Sequence, residues 1–394
     1  MSFGTLAVIV LAGLLGPLLA LPRRWHVPVV VGELAVGVLL GPTLAGYLKP
    51  ADPTFTFLAD IGFALVMFVA GSHVPIRDPR LVTGLRTGAV RAVVVGAVAI
   101  APAFALSRLF HTGHTAMYAV LIASSSAALF LPMAESLGLG GPALLDQLPQ
   151  VAIADTVCIV AVPLAVDPAH AGRAALGALA VIGCALVLFF LLRRIESSGM
   201  RRRVHRVSED RKFALELRFS LAALFGLSAL AVATHVSIML AGFSLGLAVA
   251  AVGEPRRLAR QLFGVSEGFF GPLFFLWLGS ELNLRELGHR PSFILLGLAL
   301  GASAIVVHAL MKVSGQPIPL GVLAASQLGV PVAAATLGTQ VHVLEPGEAA
   351  ALMLGALVTI GVAALSGGAA GKAAPGDPKP EPQTKPAPEP NPAQ

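Results

Sequence analysis

Charged residues are scarce in this sequence. They make up 12% of its 394 residues, where a soluble domain carries about a quarter. With 56% hydrophobic residues and a mean hydropathy of +0.82, most of the chain must face lipid or other apolar helices. A nucleic-acid partner is not expected, because the net charge of +6 comes from basic residues in short loops between apolar runs. Only two cysteines occur, Cys158 and Cys184. Both lie inside apolar runs, which excludes a disulfide framework and a thiolate metal site. No Lys or Arg precedes the first apolar stretch, whereas Arg23 and Arg24 follow it. A cleavable signal peptide has the opposite order, so a retained first helix with its N-terminus outside is expected. No charged ring or filter-like repeat suggests a channel. The chain is expected to be no enzyme and to need no cofactor.

What is present is a series of apolar runs. They fall near 3–21, 27–47, 54–72, 82–107, 114–136, 143–166, 172–192, 213–233, 236–252, 261–282, 291–312, 317–340 and 346–367. Each is about the 17–25 residues that span a bilayer core. Loop charge tests this reading independently. If all thirteen runs cross and the N-terminus is outside, twenty Lys and Arg residues fall on the cytoplasmic side, among them Arg77, Arg80, Arg86, Arg256, Arg257 and Arg260. Five fall outside, namely Lys49, Arg108, Arg173, Arg285 and Arg290. Arg91 and Arg218 are placed near cytoplasmic ends, where a side chain can snorkel. The C-terminus is then cytoplasmic and the chain a multi-pass protein of the cell membrane, in contact with its lipid.

Thirteen is odd. With the seventh helix as a connector, helices 1–6 and 8–13 become two six-helix repeats of opposite topology. Residues 1–192 hold the first repeat plus the linking helix, and 193–212 form a basic cytoplasmic loop. Residues 213–367 hold the second repeat, and 368–394 a disordered tail rich in Pro, Lys and Glu. Inverted repeats with interrupted helices at matching places point to a secondary transporter. The fifth helix of the first repeat reads YAVLIASSSAALFLPMAESLG, and its counterpart PIPLGVLAASQLGVPVAAATLG. Each carries a polar break: Ser124, Ser125 and Ser126 in one, Ser326, Gln327, Gly329 and Pro331 in the other. The expected fold class is an all-α polytopic membrane protein with two broken crossover helices.

The sixth helix, ALLDQLPQVAIADTVCIVAVPLAV, carries Asp155 at its centre. A carboxylate at the bilayer midplane costs about 2.5–3.5 kcal/mol on insertion scales and marks a functional site by default. A group that alternately holds a proton and a bare monovalent cation is the minimum machinery for exchange. The other reading of Asp155 is a permanently protonated side chain bonded to a helix backbone. Thr156 beside it is a secondary candidate. Structural roles are expected for Glu33 and Asp60, and a packing role for His308.

Several segments resemble those of bacterial monovalent cation:proton antiporters of the sodium/proton exchanger and potassium-efflux type. GELAVGVLLGP, LADIGFALVMFVAG, SSSAALFLPMAESLGL and GPLFFLWLGSELNL are similar to the family's motifs, in the family's order. The resemblance implies a homodimer, a scaffold domain and a core domain that moves like an elevator, and exchange of Na⁺ or K⁺ for H⁺. It places the ion-binding aspartate on Asp155, and supporting polar groups on Ser124, Ser125, Ser126, Ser326 and Gln327. Two positions depart from the pattern. Ala154 stands where an amide or acid precedes the aspartate, and Ser303 or a neighbour stands where many members carry a Lys or Arg in the eleventh helix. One acid without a midplane base implies electroneutral one-for-one exchange. The competing readings are a sodium-coupled organic-anion symporter of similar architecture, and a transport-inactive sensor or scaffold.

Overall fold

A computed structural model describes residues 1–21, 29–72, 76, 79–198, 215–234, 236–253, 262, 264–281, 284–288 and 290–374. Most of the predicted loop 193–212 and the end of the predicted tail lie outside these residues. Among the described residues the chain is almost entirely helical.

In chain order the helices are α1 (Phe3–Gly13), α2 (Leu15–Ala20), α3 (Val29–Leu40), α4 (Pro53–Ser72), α5 (Pro79–Leu109) and α6 (Thr115–Ala123). Then come α7 (Ala127–Ser136), α8 (Gly141–Val166), α9 (Ala171–Ser197), α10 (Leu215–Ala233), α11 (Ile238–Val252) and α12 (Gly271–Glu281). The last are α13 (Leu284–Leu287), α14 (Pro291–Ala309), α15 (Ile318–Ala324), α16 (Gly329–Gln340) and α17 (Glu348–Ala373). Among the described residues, eight stretches are long and apolar enough to cross a membrane. They coincide with the predicted runs 54–72, 82–107, 143–166, 172–192, 213–233, 291–312, 317–340 and 346–367. The remaining runs coincide with shorter helices. The first run is divided at Leu14, and α12 is preceded by a π-helical turn, Ser266–Phe270. The last helix continues to Ala373, six residues into the segment expected to be disordered. Its Gly/Ala sequence there still supports helix, and Ala374 O accepts from Gly140 N at 3.0 Å.

The helices sort into two bundles that cut across the predicted repeats. In the first, α4 lies along α11 and α3 along α12; in the second, α5 packs on α6 and α8, and α17 on α14, α15 and α16. The long helix α9 lies against α8 on one side and α11 on the other. The first bundle is closed by glycines facing carbonyls. A Cβ built on Gly246 would sit 2.3 Å from Phe68 O, and one on Gly71 2.4 Å from Phe243 O. Between α3 and α12, a Cβ built on Gly279 would lie 2.3 Å from Leu34 O, and one on Gly37 2.4 Å from Leu276 O. Small residues let backbones approach this closely where no hydrophobic effect drives helices together.

Contacts between connecting segments separate two ends. At one end Arg285 Nε donates to Thr43 O (2.9 Å), Trp277 Nε1 to Pro50 O (3.2 Å), and Arg290 pairs with Glu345 (3.1 Å). At the other, Arg91 donates to Ser314 Oγ (2.9 Å) and Ser314 O (3.0 Å), and Gln316 bonds Gln147. Arg91 therefore does not snorkel as expected: it is 6% exposed and its charge is spent on the α14–α15 turn.

Candidate functional site

Both crossover helices break where the sequence places hydroxyls. Ser side chains compete with the backbone for its hydrogen bonds and so favour helix ends over interiors. Ser124 is extended (ψ 150°), and its Oγ donates to Leu121 O at 2.8 Å. Ser326 Oγ makes the matching bond to Leu323 O at 2.7 Å. The second break is sealed by Pro331 in the first turn of α16, where a missing N–H has no helical partner to lose.

The two breaks meet. Gln327 Nε2, from the break before α16, donates to Leu121 O at the end of α6 over 2.6 Å. Asp155 from α8 reaches the same place, with Oδ2 accepting the Ala127 N–H at the start of α7 (2.8 Å). A carboxylate suits that position, because the N-terminus of α7 presents free N–H groups and the positive end of the helix dipole. Asp155 is 1% exposed, and its Oδ1 has no hydrogen-bond partner. One oxygen is therefore structural, and the other has no protein partner in this buried centre.

The second break has the same construction. There Thr359 of α17 does what Asp155 does at the first break: its Oγ1 accepts the Gln327 N–H at 3.2 Å while donating to Ala356 O at 2.7 Å. The acid is matched by a neutral hydroxyl. Thr359 carries no sequence motif; only the expected correspondence of the sixth and thirteenth helices would have singled it out.

The other predicted residues are placed as follows. Ser125 is buried and lies 3.4 Å from His308 Nε2. The His308 Nδ1 faces Ala304 O at 2.9 Å, and since a carbonyl only accepts, Nδ1 carries the proton and Nε2 accepts from Ser125. Ser126 is buried in the break, and its carbonyl accepts Phe130 N at 2.8 Å. Thr156 returns its hydroxyl to Ala152 O at 2.8 Å, within its own helix. Ser303 is half-buried and sits five residues before His308, on another side of α14 by helical geometry. His308, not Ser303, is the polar group that α14 brings to the breaks. Asp60 and Glu33 belong to the first bundle, on α4 and α3; Glu33 is buried where Gly16 approaches its Cγ.

At the far end of α6 a second cluster holds the core bundle together. His114 Nδ1 is 2.7 Å from Glu348 Oε1, Tyr118 OH donates to the same oxygen at 2.6 Å, and Glu345 N donates to Oε2 at 2.9 Å. The hydrogen bond to Glu348, opposed by partial burial, holds the His114 pKa above its ordinary value.

A family model described as "Sodium/hydrogen exchanger, transmembrane" matches residues 7–371. A putative Na⁺/H⁺ antiporter, YjbQ of Bacillus subtilis, is 25% identical over 91% of this chain; the chain spans 61% of that protein's length. The Na⁺/H⁺-K⁺ antiporter GerN of Bacillus cereus is 21% identical over 68% of this chain and 69% of its own. Among solved structures, the sodium proton antiporter MjNhaP1 of Methanocaldococcus jannaschii superimposes with a TM-score of 0.70, at 16% identity, over 97% of this chain and 100% of that one. Its structure at pH 8 gives 0.61 at 15% identity over 93% and 97%. The shared fold is all-helical and membrane-spanning.

Proposed function

The chain belongs to the sodium/hydrogen exchanger family, and from that premise we propose that it is a secondary active antiporter exchanging a monovalent cation, Na⁺ or K⁺, for H⁺. The observation that carries the reading is Asp155, buried, with one oxygen anchored on Ala127 N and the other unpartnered. A bare carboxylate there must be neutralised, and a proton and an alkali cation are alternative ways of doing so. Because both use Oδ1, they compete, and competition for one site is what couples two opposed fluxes.

Ser124, Ser125, Ser126, Ser326 and Gln327 supply neutral oxygens around the breaks, of the kind an alkali cation takes in place of water. Among the described residues Asp155 bears the only carboxylate at these breaks, since Thr359 and Gln327 are neutral. One cation therefore replaces one proton, and the exchange is electroneutral. The bundle of α5–α8 and α14–α17 carries the site past the glycine-locked bundle in an elevator motion. The protein sits in the cell membrane as a homodimer with both the N-terminus and the His114–Glu348 cluster on the outer side.

The test is a proteoliposome carrying a trapped pH dye, to which Na⁺, K⁺ or Li⁺ is added in turn. Wild-type vesicles should show cation-driven proton movement that is unaffected by clamping the membrane potential, and Asp155→Asn should abolish it. Full exchange by the Asn variant would falsify the carrier role, and no response to any cation would refute antiport.

A further inference from the structure

Eight residues before Asp155, the same helix carries a second polar group that the exchange mechanism does not use. Gln147, Gln150 and Gln316 are 0%, 1% and 3% exposed. Gln316 Nε2 donates to Gln147 Oε1, which leaves Gln316 Oε1, Gln147 Nε2 and both amide atoms of Gln150 without a partner. Buried polar atoms are almost always paired, and two of these orphans, Gln316 Oε1 and Gln150 Oε1, are amide oxygens of the kind a missing cation would use.

We infer that Gln147, Gln150 and Gln316 form a second alkali-cation station at the inner end of α8, which holds the cation while it exchanges water for protein oxygens on its way to Asp155. The inference rests on the antiport reading of the same bundle. Gln147 and Gln150 lie one turn apart, where side chains are neighbours, and Asp155 stands roughly 8 Å further along the axis than Gln150. Amide oxygens are neutral hard ligands suited to alkali cations. They carry no charge, so they bind weakly enough to pass the ion on. An amide can also be turned end for end without changing shape, so Gln150 can present its oxygen.

The turn that carries the amides is packed under α5. Pro149 has no N–H, so Leu145 O lacks its helical donor. The turn is held firmly: Cβ atoms on Gly84 and Gly88 would lie 2.8 Å from Leu145 O and 2.7 Å from Gln150 N, so α5 rests directly on it. The nearby guanidinium of Arg91 does not repel the ion unopposed, since it is committed to Ser314 and interacts electrostatically with Asp146.

Two measurements test the station. In proteoliposomes, Gln150→Leu should raise KM for Na⁺ or K⁺ about tenfold while kcat stays within about twofold, a loss of ground-state binding; Gln150→Asn should recover part of the loss. Independently of transport, purified Asp155→Asn should still be stabilised against heat by Na⁺ or K⁺, and adding Gln150→Leu should remove that stabilisation. An unchanged KM in a folded Gln150→Leu, or no cation effect on Asp155→Asn, would overturn the inference and leave the amides holding water alone. If wild type exchanges nothing but the stabilisation appears and then vanishes as described, the antiport reading fails and the station stands.

Discussion

Replacing Gly246 by Ala tests whether the first bundle is a fixed frame. An added Cβ would meet Phe68 O at 2.3 Å, Ser72 N at 2.8 Å and Gly71 C at 2.9 Å. A carbon–oxygen contact settles near roughly 3.3 Å, so α4 and α11 must part by about 1 Å. Backbone atoms cannot swing aside as a side-chain tip would. Nor can the helices slide to relieve the clash, because Gly71 on Phe243 O (2.4 Å) and Gly242 on Ala64 O (2.5 Å) lock the same pair from both faces. Overpacking of this kind costs about 1–3 kcal/mol, with further loss as the neighbouring close contacts open. Gly96→Ala and Gly183→Ala serve as controls, since nothing lies within 4 Å of either Cβ, and Ala is favoured over Gly in a helix by about 1 kcal/mol. Thermal unfolding of the detergent-purified protein, followed by size exclusion, should place Gly246→Ala clearly below wild type and the controls at or above it. A Gly246→Ala protein as stable as Gly96→Ala would mean that the two helices do not make this contact.

Asp155→Ala and Asp155→Asn should both abolish exchange but differ in stability. Asn keeps an oxygen for Ala127 N, whereas Ala leaves that N–H unpaired at a cost of about 1–3 kcal/mol; equal melting of the two would refute the capping role. The protonated form of His114 is favoured in the folded protein, foremost by the Glu348 hydrogen bond. Its stabilisation is then complete below the unfolded pKa of about 6.5 and is lost as pH rises through the higher folded value. His114→Gln should flatten that decline in a melting series from pH 6 to 9, and an unaltered decline would exclude the pair as its cause. Thr359→Val removes the acceptor for Gln327 N and should destabilise the protein by about 1–3 kcal/mol. Full stability of that variant would show that the second break is held by other means.

The spans, the two breaks and Asp155 were legible because each departs locally from its surroundings: runs of apolar residues, hydroxyls within a run, one acid among apolar neighbours. What escaped depends on partners far apart in the chain. Gln147 and Gln316 look like ordinary polar residues near helix ends until folding brings them together across 169 positions. Arg91 reads as a snorkelling residue because its partner, Ser314, is 223 positions away. His308 looked like packing, and its contact with Ser125 depends on how α14 is rotated, which an all-round apolar helix does not reveal by periodicity. For the same reason the sequence shows which glycines exist but not that Gly71 and Gly246 face one another's helices.

One contact between the bundles has a consequence for any motion of one along the other. Gly329, at the start of α16, is met by the Met239 thioether of α11 and by the Phe63 ring of α4. These are tips of side chains laid on a residue that has none. Dispersion and burial have no preferred direction, so exchanging one such neighbour for the next leaves the free energy almost unchanged. A bearing of this kind favours neither stop, and the proposed exchanger, which must cross as readily with a cation in one direction as with a proton in the other, needs that near-degeneracy of its end states.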